Sequence, residues 1–160
     1  MNEHKIALHE TGFWGRAAAG AIVAARQTGR VLIAHRAEGT LQAGTWGTWG
    51  GAVDEGETPE QTVRRELSEE AGYSGTFNST PLYVFEHSSG FRYSNFLITV
   101  EHEFEPQLNW ETQGFGWFIF GDWPDPLHFG LENLFNDEAS LASIARVAKI
   151  KGGAKARQHP

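Results

Sequence analysis

The chain has no cysteine among its 160 residues, which removes disulfide frameworks, thiolate zinc centres and cysteine nucleophiles together. Any metal it binds must be held by oxygen or imidazole. Positive charge is also scarce: 13 Lys and Arg stand against 20 Asp and Glu, a formal charge of −7. Large nucleic-acid footprints are built from Lys and Arg, so that class of partner is disfavoured. A small anionic substrate is not, because a bound divalent cation reverses the local sign of the field. No apolar run approaches the roughly 20 residues that span a bilayer. The opening stretch, Met1 to Glu10, is broken by Glu3, His4, Lys5 and His9 and does not read as a signal-peptide core. The expectation is a soluble cytoplasmic protein with no membrane partner. Neither G-x-x-x-x-G-K-[ST] nor a strand-linked G-x-G-x-x-G occurs, so the glycines at 44, 47, 50 and 51 form neither a Walker loop nor a dinucleotide fingerprint.

What is present is an ordinary globular composition, 40% apolar and 21% charged, in a length that suits a single core. One domain is expected over residues 1–150, followed by a basic, aperiodic and mobile tail at 151–160. The apolar runs Ala18 to Ala25 and Val31 to His35, separated by Gln27-Thr28-Gly29, read as strand, turn, strand. Gly39 to Gly51, with Trp46 and Trp49, reads as a glycine-rich loop entering a short strand. A helix is then punctuated at both ends: Thr58 as N-cap, Pro59 as first helical residue, Gln61 as capping-box partner and Gly72 as stop. Further strands are expected at Pro81 to His87, Tyr93 to Val100 and Phe115 to Phe120, the last after an acidic loop with Glu101, Glu103, Glu105 and Glu111. Two helical pieces follow, broken near Asn136-Asp137, with Leu141, Ile144, Ala145 and Ala148 at helical spacing. Strands on both sides of a central helix imply an α/β layered domain with a mixed sheet.

The chemistry concentrates in Gly51 to Tyr73, GAVDEGETPEQTVRRELSEEAGY. Spacing of i, i+3 and i+4 gathers Glu66, Glu69 and Glu70 on adjacent parts of one helix surface. A charge run is usually a solvated face. Here three costs oppose that reading. Like charges at i, i+4 repel by about 0.2–0.5 kcal/mol. Glu69 and Glu70 lie in the last turn, where the helix dipole favours cations. Glu66 and Glu70 also border the apolar stripe of Val63 and Leu67. Arg64 and Arg65 offset part of this, and a divalent metal on hard oxygen ligands would offset the rest.

This segment resembles the Nudix box, G-x5-E-x7-R-E-U-x-E-E-x-G-U, where U is bulky and aliphatic. Gly51, Glu57, Arg65, Glu66, Leu67, Glu69, Glu70 and Gly72 occupy its fixed positions, and Tyr73 replaces the final aliphatic residue. The resemblance implies the Nudix fold, an α/β/α sandwich around a mixed β-sheet. It also implies hydrolysis of a nucleoside diphosphate derivative with Mg²⁺ or Mn²⁺, by water attack at phosphorus. Carried over by position, Glu66, Glu69 and Glu70 are metal ligands, with the Gly50 carbonyl as a further one. Arg65 orients the carboxylates and Glu57 supports the loop-to-helix entry. The general base is expected to be Glu66 or Glu111, with Glu101, Glu103 and Glu105 weaker candidates because Glu103 and Glu105 can simply be the polar face of an extended segment.

Outside the box, Arg36 is a candidate phosphate contact and Trp46 a candidate stacking surface for a base, while one of Trp46 and Trp49 is expected in the core. His35, His87 and His128 lack metal-ligand spacing among themselves and carry no assignment. The expected substrate is a small nucleotide, either a (deoxy)nucleoside triphosphate or a nucleotide sugar such as ADP-ribose; a homodimer is left open. The rivals are an RNA 5′-end pyrophosphohydrolase, which a basic face would favour, and a non-catalytic nucleotide sensor, which a degenerate box would favour.

Overall fold

The computed structural model describes residues 17–40 and 42–148. The expected tail at 151–160 and the opening Met1 to Glu10 lie outside the described residues. Seven strands form one mixed sheet: β1 (Ala17–Ala25), β2 (Val31–Arg36), β3 (Trp46–Gly47), β4 (Trp49–Ala52), β5 (Asn78–Glu86), β6 (Arg92–Val100) and β7 (Thr112–Phe118). Helix α1 (Pro59–Ala71) lies on one face; α2 (Phe129–Phe135) and α3 (Glu138–Ala148) lie on the other. The expected α/β/α sandwich is therefore what the chain forms. No helix among the described residues is long and apolar enough to cross a membrane.

The principal path through the sheet runs β3-β2-β1-β6-β5, with β4 also on β1 and β7 also on β2. β1 pairs parallel with β6 over its whole length, and the other pairings between these strands are antiparallel. A strand covered on both faces reads as a continuous apolar run, which is the character of Ala17 to Ala25. Its alternation feeds two cores. Ala19, Ala21 and Val23 meet Val63, Leu67 and Ala71 of α1 together with Trp49, Phe96, Ile98 and Trp117. Ile22 and Ala24 meet Leu131, Leu134, Phe135, Ile144 and Ala148 with Ile33, Leu97 and Phe118.

Strand limits differ from expectation in two places. β5 begins at Asn78, ahead of Pro81, with a register shift between Pro81 and Val84. Proline is tolerated there because β5 is an edge strand and the irregularity absorbs its missing N–H. β7 starts at Thr112 and ends at Phe118, since pairing with Arg36 and His35 recruits its polar first residues.

Candidate active site

Helix α1 starts as its sequence dictates. Thr58 Oγ1 accepts from the Gln61 N–H at 3.1 Å, and Gln61 Oε1 accepts from the Thr58 N–H at 2.9 Å, a complete capping box. Gly72 closes the helix at φ 68°, the left-handed conformation that glycine takes without penalty. This fixes the rotation of the helix. Val63 and Leu67 enter the core, and Glu66 and Glu70 are carried to its edge at 9% and 5% exposure. Glu69 points outward, its side chain 56% exposed.

Two glycines of β4 sit in close contacts, Gly51 against α1 and Gly50 against β1. A Cβ on Gly51 would sit 2.7 Å from Glu66 Oε1 and 3.0 Å from its Cδ, so the bare backbone makes the space the carboxylate occupies. A Cβ on Gly50 would collide with the Ala19 carbonyl and the Gly20 Cα, which restricts that position to glycine on account of the fold itself.

Arg65 is the hub of the polar side. Its Nε donates to Glu57 Oε2 at 2.9 Å and its second terminal nitrogen to Glu57 Oε1 at 3.0 Å, a two-pronged pair. It also donates to Glu66 Oε1 at 2.9 Å, Glu69 Oε2 at 3.3 Å and the Ala52 carbonyl at 3.1 Å. Glu57 accepts in addition from Thr62 Oγ1 at 2.6 Å and the Asp54 N–H at 3.1 Å. Arg65 above all, then Thr62, hold Glu57 down at about 2, far below the usual carboxylate range.

Glu70 is in the opposite situation. Its Oε1 is buried with no hydrogen-bond partner. Burial first, then the adjacent Glu66 carboxylate and the more distant Glu111, push it well above the carboxylate range, while the Gly50 backbone works weakly the other way. Glu111 is raised in the same sense, by burial and then by Glu66, with Arg36 opposing. Arg36 itself is lowered by burial, and its field is shared with Tyr93, Glu70 and Glu111. The fold thus gathers Glu66, Glu70, Gly50, Gly51, Glu111 and Arg36 at one place, with Arg65 and Glu57 bracing its outer side.

Other expected residues fall elsewhere. Trp49 is fully buried. Trp46 stacks on His35 at 4.2 Å and meets Phe118 edge-on at 5.4 Å, so packing occupies much of its indole. Glu103 is a structural ion pair, not a solvated face: Arg30 Nε donates to it at 2.6 Å and Arg30 also donates to its other oxygen at 2.8 Å. Three residues near the site carried no sequence signal. Tyr93 shares a 2.6 Å hydrogen bond with Thr48 across Gly20, and burial pushes its phenol up to about 12. His128 caps α2 by accepting from the Gly130 N–H at 3.1 Å. Asn109 hydrogen bonds to both α1 and Glu111.

The residues present fit a hard divalent cation. The buried, orphaned Glu70 oxygen beside the Glu66 carboxylate is an all-oxygen donor set of the kind such a cation takes. Among the described residues no three acidic or imidazole side chains already converge as a closed cage. Glu69, the third acid of the box, is engaged with Arg65 instead.

Comparison with known proteins identifies the family. The NUDIX domain model matches residues 14–137, and the chain belongs to the Nudix domain family. A protein of Mycobacterium tuberculosis named putative 8-oxo-dGTP diphosphatase 3 is 54% identical over 66 residues, 39% of this chain and 30% of that protein. The oxidized purine nucleoside triphosphate hydrolase of Danio rerio is 52% identical over 46 residues, 29% of each chain. The matches therefore span under a third of these curated relatives. Among solved structures, a MutT Nudix hydrolase from Burkholderia pseudomallei superposes with TM-score 0.62 at 29% identity, covering 77% of this chain and 97% of that one. RenU, a Nudix hydrolase of M. smegmatis, gives 0.63 at 28% identity, covering 86% and 88%.

Proposed function

We propose that the chain is a metal-dependent pyrophosphohydrolase that cuts a diphosphate linkage in a small purine nucleoside triphosphate, oxidised forms included. The observation that carries this is Glu70: an acid buried against Glu66, with one oxygen unpartnered, inside a Nudix box whose acidic positions are all filled. The names of the two partial relatives favour a triphosphate over a nucleotide sugar such as ADP-ribose.

Glu66 and Glu70 would hold the metal with the Gly50 carbonyl, and Glu69 would join by leaving Arg65. Bound Mg²⁺ or Mn²⁺ would neutralise charge developing on the diphosphate and activate a water. Arg65 fixes Glu66 while Glu57 and the Ala52 carbonyl hold the other side of its guanidinium. Arg36, facing the acids from the end of β2, offers positive charge to a phosphate oxygen. Glu111 accepts the proton of the attacking water; burial and Glu66 already raise its proton affinity.

The test is a panel of nucleoside triphosphates, 8-oxo-dGTP and ADP-ribose with magnesium, scored for monophosphate, pyrophosphate and phosphate. The expected result is turnover that stops on chelation, with oxygen-18 from water appearing on a phosphate product. Full turnover after exhaustive chelation, or label on a sugar carbon, would overturn the reading.

A further inference from the structure

Helix α1 ends with backbone carbonyls that have no partner within the helix, as every helix does. Two of them are taken by the loop that leads into β7. The Gln107 N–H donates to the Ala71 carbonyl at 2.9 Å, and Asn109 Nδ2 donates to the Glu69 carbonyl at 3.2 Å. The other end of the same Asn109 amide, Oδ1, accepts from the Glu111 N–H at 2.9 Å. One planar side chain therefore joins the backbone of a box glutamate to the backbone of Glu111. The Glu111 carbonyl is held from the opposite side by the Ala37 N–H at 3.0 Å, next to Arg36.

We propose that Asn109 is a positioning residue, setting the distance between Glu111 and the carboxylates of α1; this rests on the reading of Glu111 as the proton acceptor. The loop is free of helix and strand ladders at this point, and its neighbours Leu108 and Trp110 are exposed at 37% and 72%. The Ala37 N–H holds Glu111 to the end of β2, and the Asn109 amide is what ties it to α1. Asparagine suits the task because its side chain carries a donor and an acceptor at opposite corners. Aspartate would present two acceptors, one of them to the Glu69 carbonyl.

Three variants separate this tether from a merely local turn. Asn109→Ala loses both bonds. Asn109→Ser keeps a side-chain oxygen for the Glu111 N–H but cannot reach Glu69. Glu111→Gln removes the acceptor itself and should lower kcat by roughly 10²–10⁴. With magnesium and whichever panel nucleotide the native chain turns over fastest, Asn109→Ala and Asn109→Ser should both lose roughly 10–100-fold in kcat. KM and the magnesium-induced rise in Tm should be retained. In the Glu111→Gln background, neither change should lower kcat further. Native kcat in Asn109→Ala, rescue by Asn109→Ser, or additive losses in the double variants would overturn the tether while leaving the hydrolase reading intact. Native kcat in Glu111→Gln would instead overturn the role of Glu111 and the tether with it. A native chain that turns over none of the panel would overturn the underlying function.

Discussion

Glu57, at the entry to α1, is given Arg65 on both oxygens, the Thr62 hydroxyl and the Asp54 amide. Glu70, in the last turn of the same helix, is buried with Oε1 unpartnered and a second carboxylate beside it. One acid is over-satisfied and stays charged at almost any pH. The other is left expensive to ionise. Unpaired buried carboxylates cost stability, and folds that need only stability pair them or replace them. The Glu57 end fixes the loop and Arg65, and on the function proposed above the Glu70 end is where a cation would find ligand capacity.

The largest expected effect that sharpens this contrast is on catalysis. Glu70→Gln keeps shape and burial but removes the charge, and should cut kcat by at least about 10²-fold, comparable with losing a transition-state-stabilising group. A fully active Glu70→Gln protein would erase the contrast. Next come the two glycines of β4. Gly50→Ala drives a methyl into the β1 backbone and should cost about 1–3 kcal/mol or more in urea unfolding. Gly51→Ala meets the Glu66 carboxylate, a side chain that can turn aside, so stability should change less while activity falls. A fully active, native-like Gly51→Ala variant would mean that Glu66 is not held where the chemistry needs it.

A pH dependence remote from the acids concerns His128, whose ring is pushed down to about 3 by burial first and Arg36 second. Its Nδ1 must stay unprotonated to accept the Gly130 N–H. In the unfolded chain the ring takes a proton near pH 6.5. Between about 6.5 and 3 the unfolded state therefore binds more protons, and stability falls as pH drops through that window. The slope approaches at most about 1.4 kcal/mol per pH unit, less for a ring that is only partly buried. His128→Asn keeps a capping acceptor without the proton site, so its urea midpoint should decline less steeply on acidification. Parallel declines in the two proteins would remove His128 from the account.

The carboxylate helix was legible in the sequence because every signal for it is local. Thr58, Gln61 and Gly72 set its ends, Val63 and Leu67 set its rotation, and the box spacing then delivers Glu66 and Glu70 to the core border. The break between α2 and α3 near Asn136 was legible for the same reason. What escaped is non-local. The parallel pairing of β1 with β6 depends on a crossover, not on either strand's pattern. The Arg30–Glu103 pair joins residues far apart in the chain, so Glu103 reads locally as one more acid in a polar loop. Glu111 could be nominated as an acid near a strand, yet its approach to α1 depends on Asn109, whose reach to Glu69 has no periodic signature. Trp46 and Trp49 are equivalent by composition, and only the pairing of β3 with β2 and the bridge to Leu127 decides which is walled in by His35.

On the proposed function Glu70 is kept destabilising for the sake of a cation. Thermal melts of the native chain and Glu70→Gln, each with and without magnesium, separate this from a purely structural acid. Magnesium at ten times its Kd should stabilise the native chain by about 1.4 kcal/mol. Glu70→Gln should be at least as stable as the native chain without metal and should gain much less from magnesium. A variant that melts well below the native chain without metal, yet gains as much from magnesium, would contradict the account.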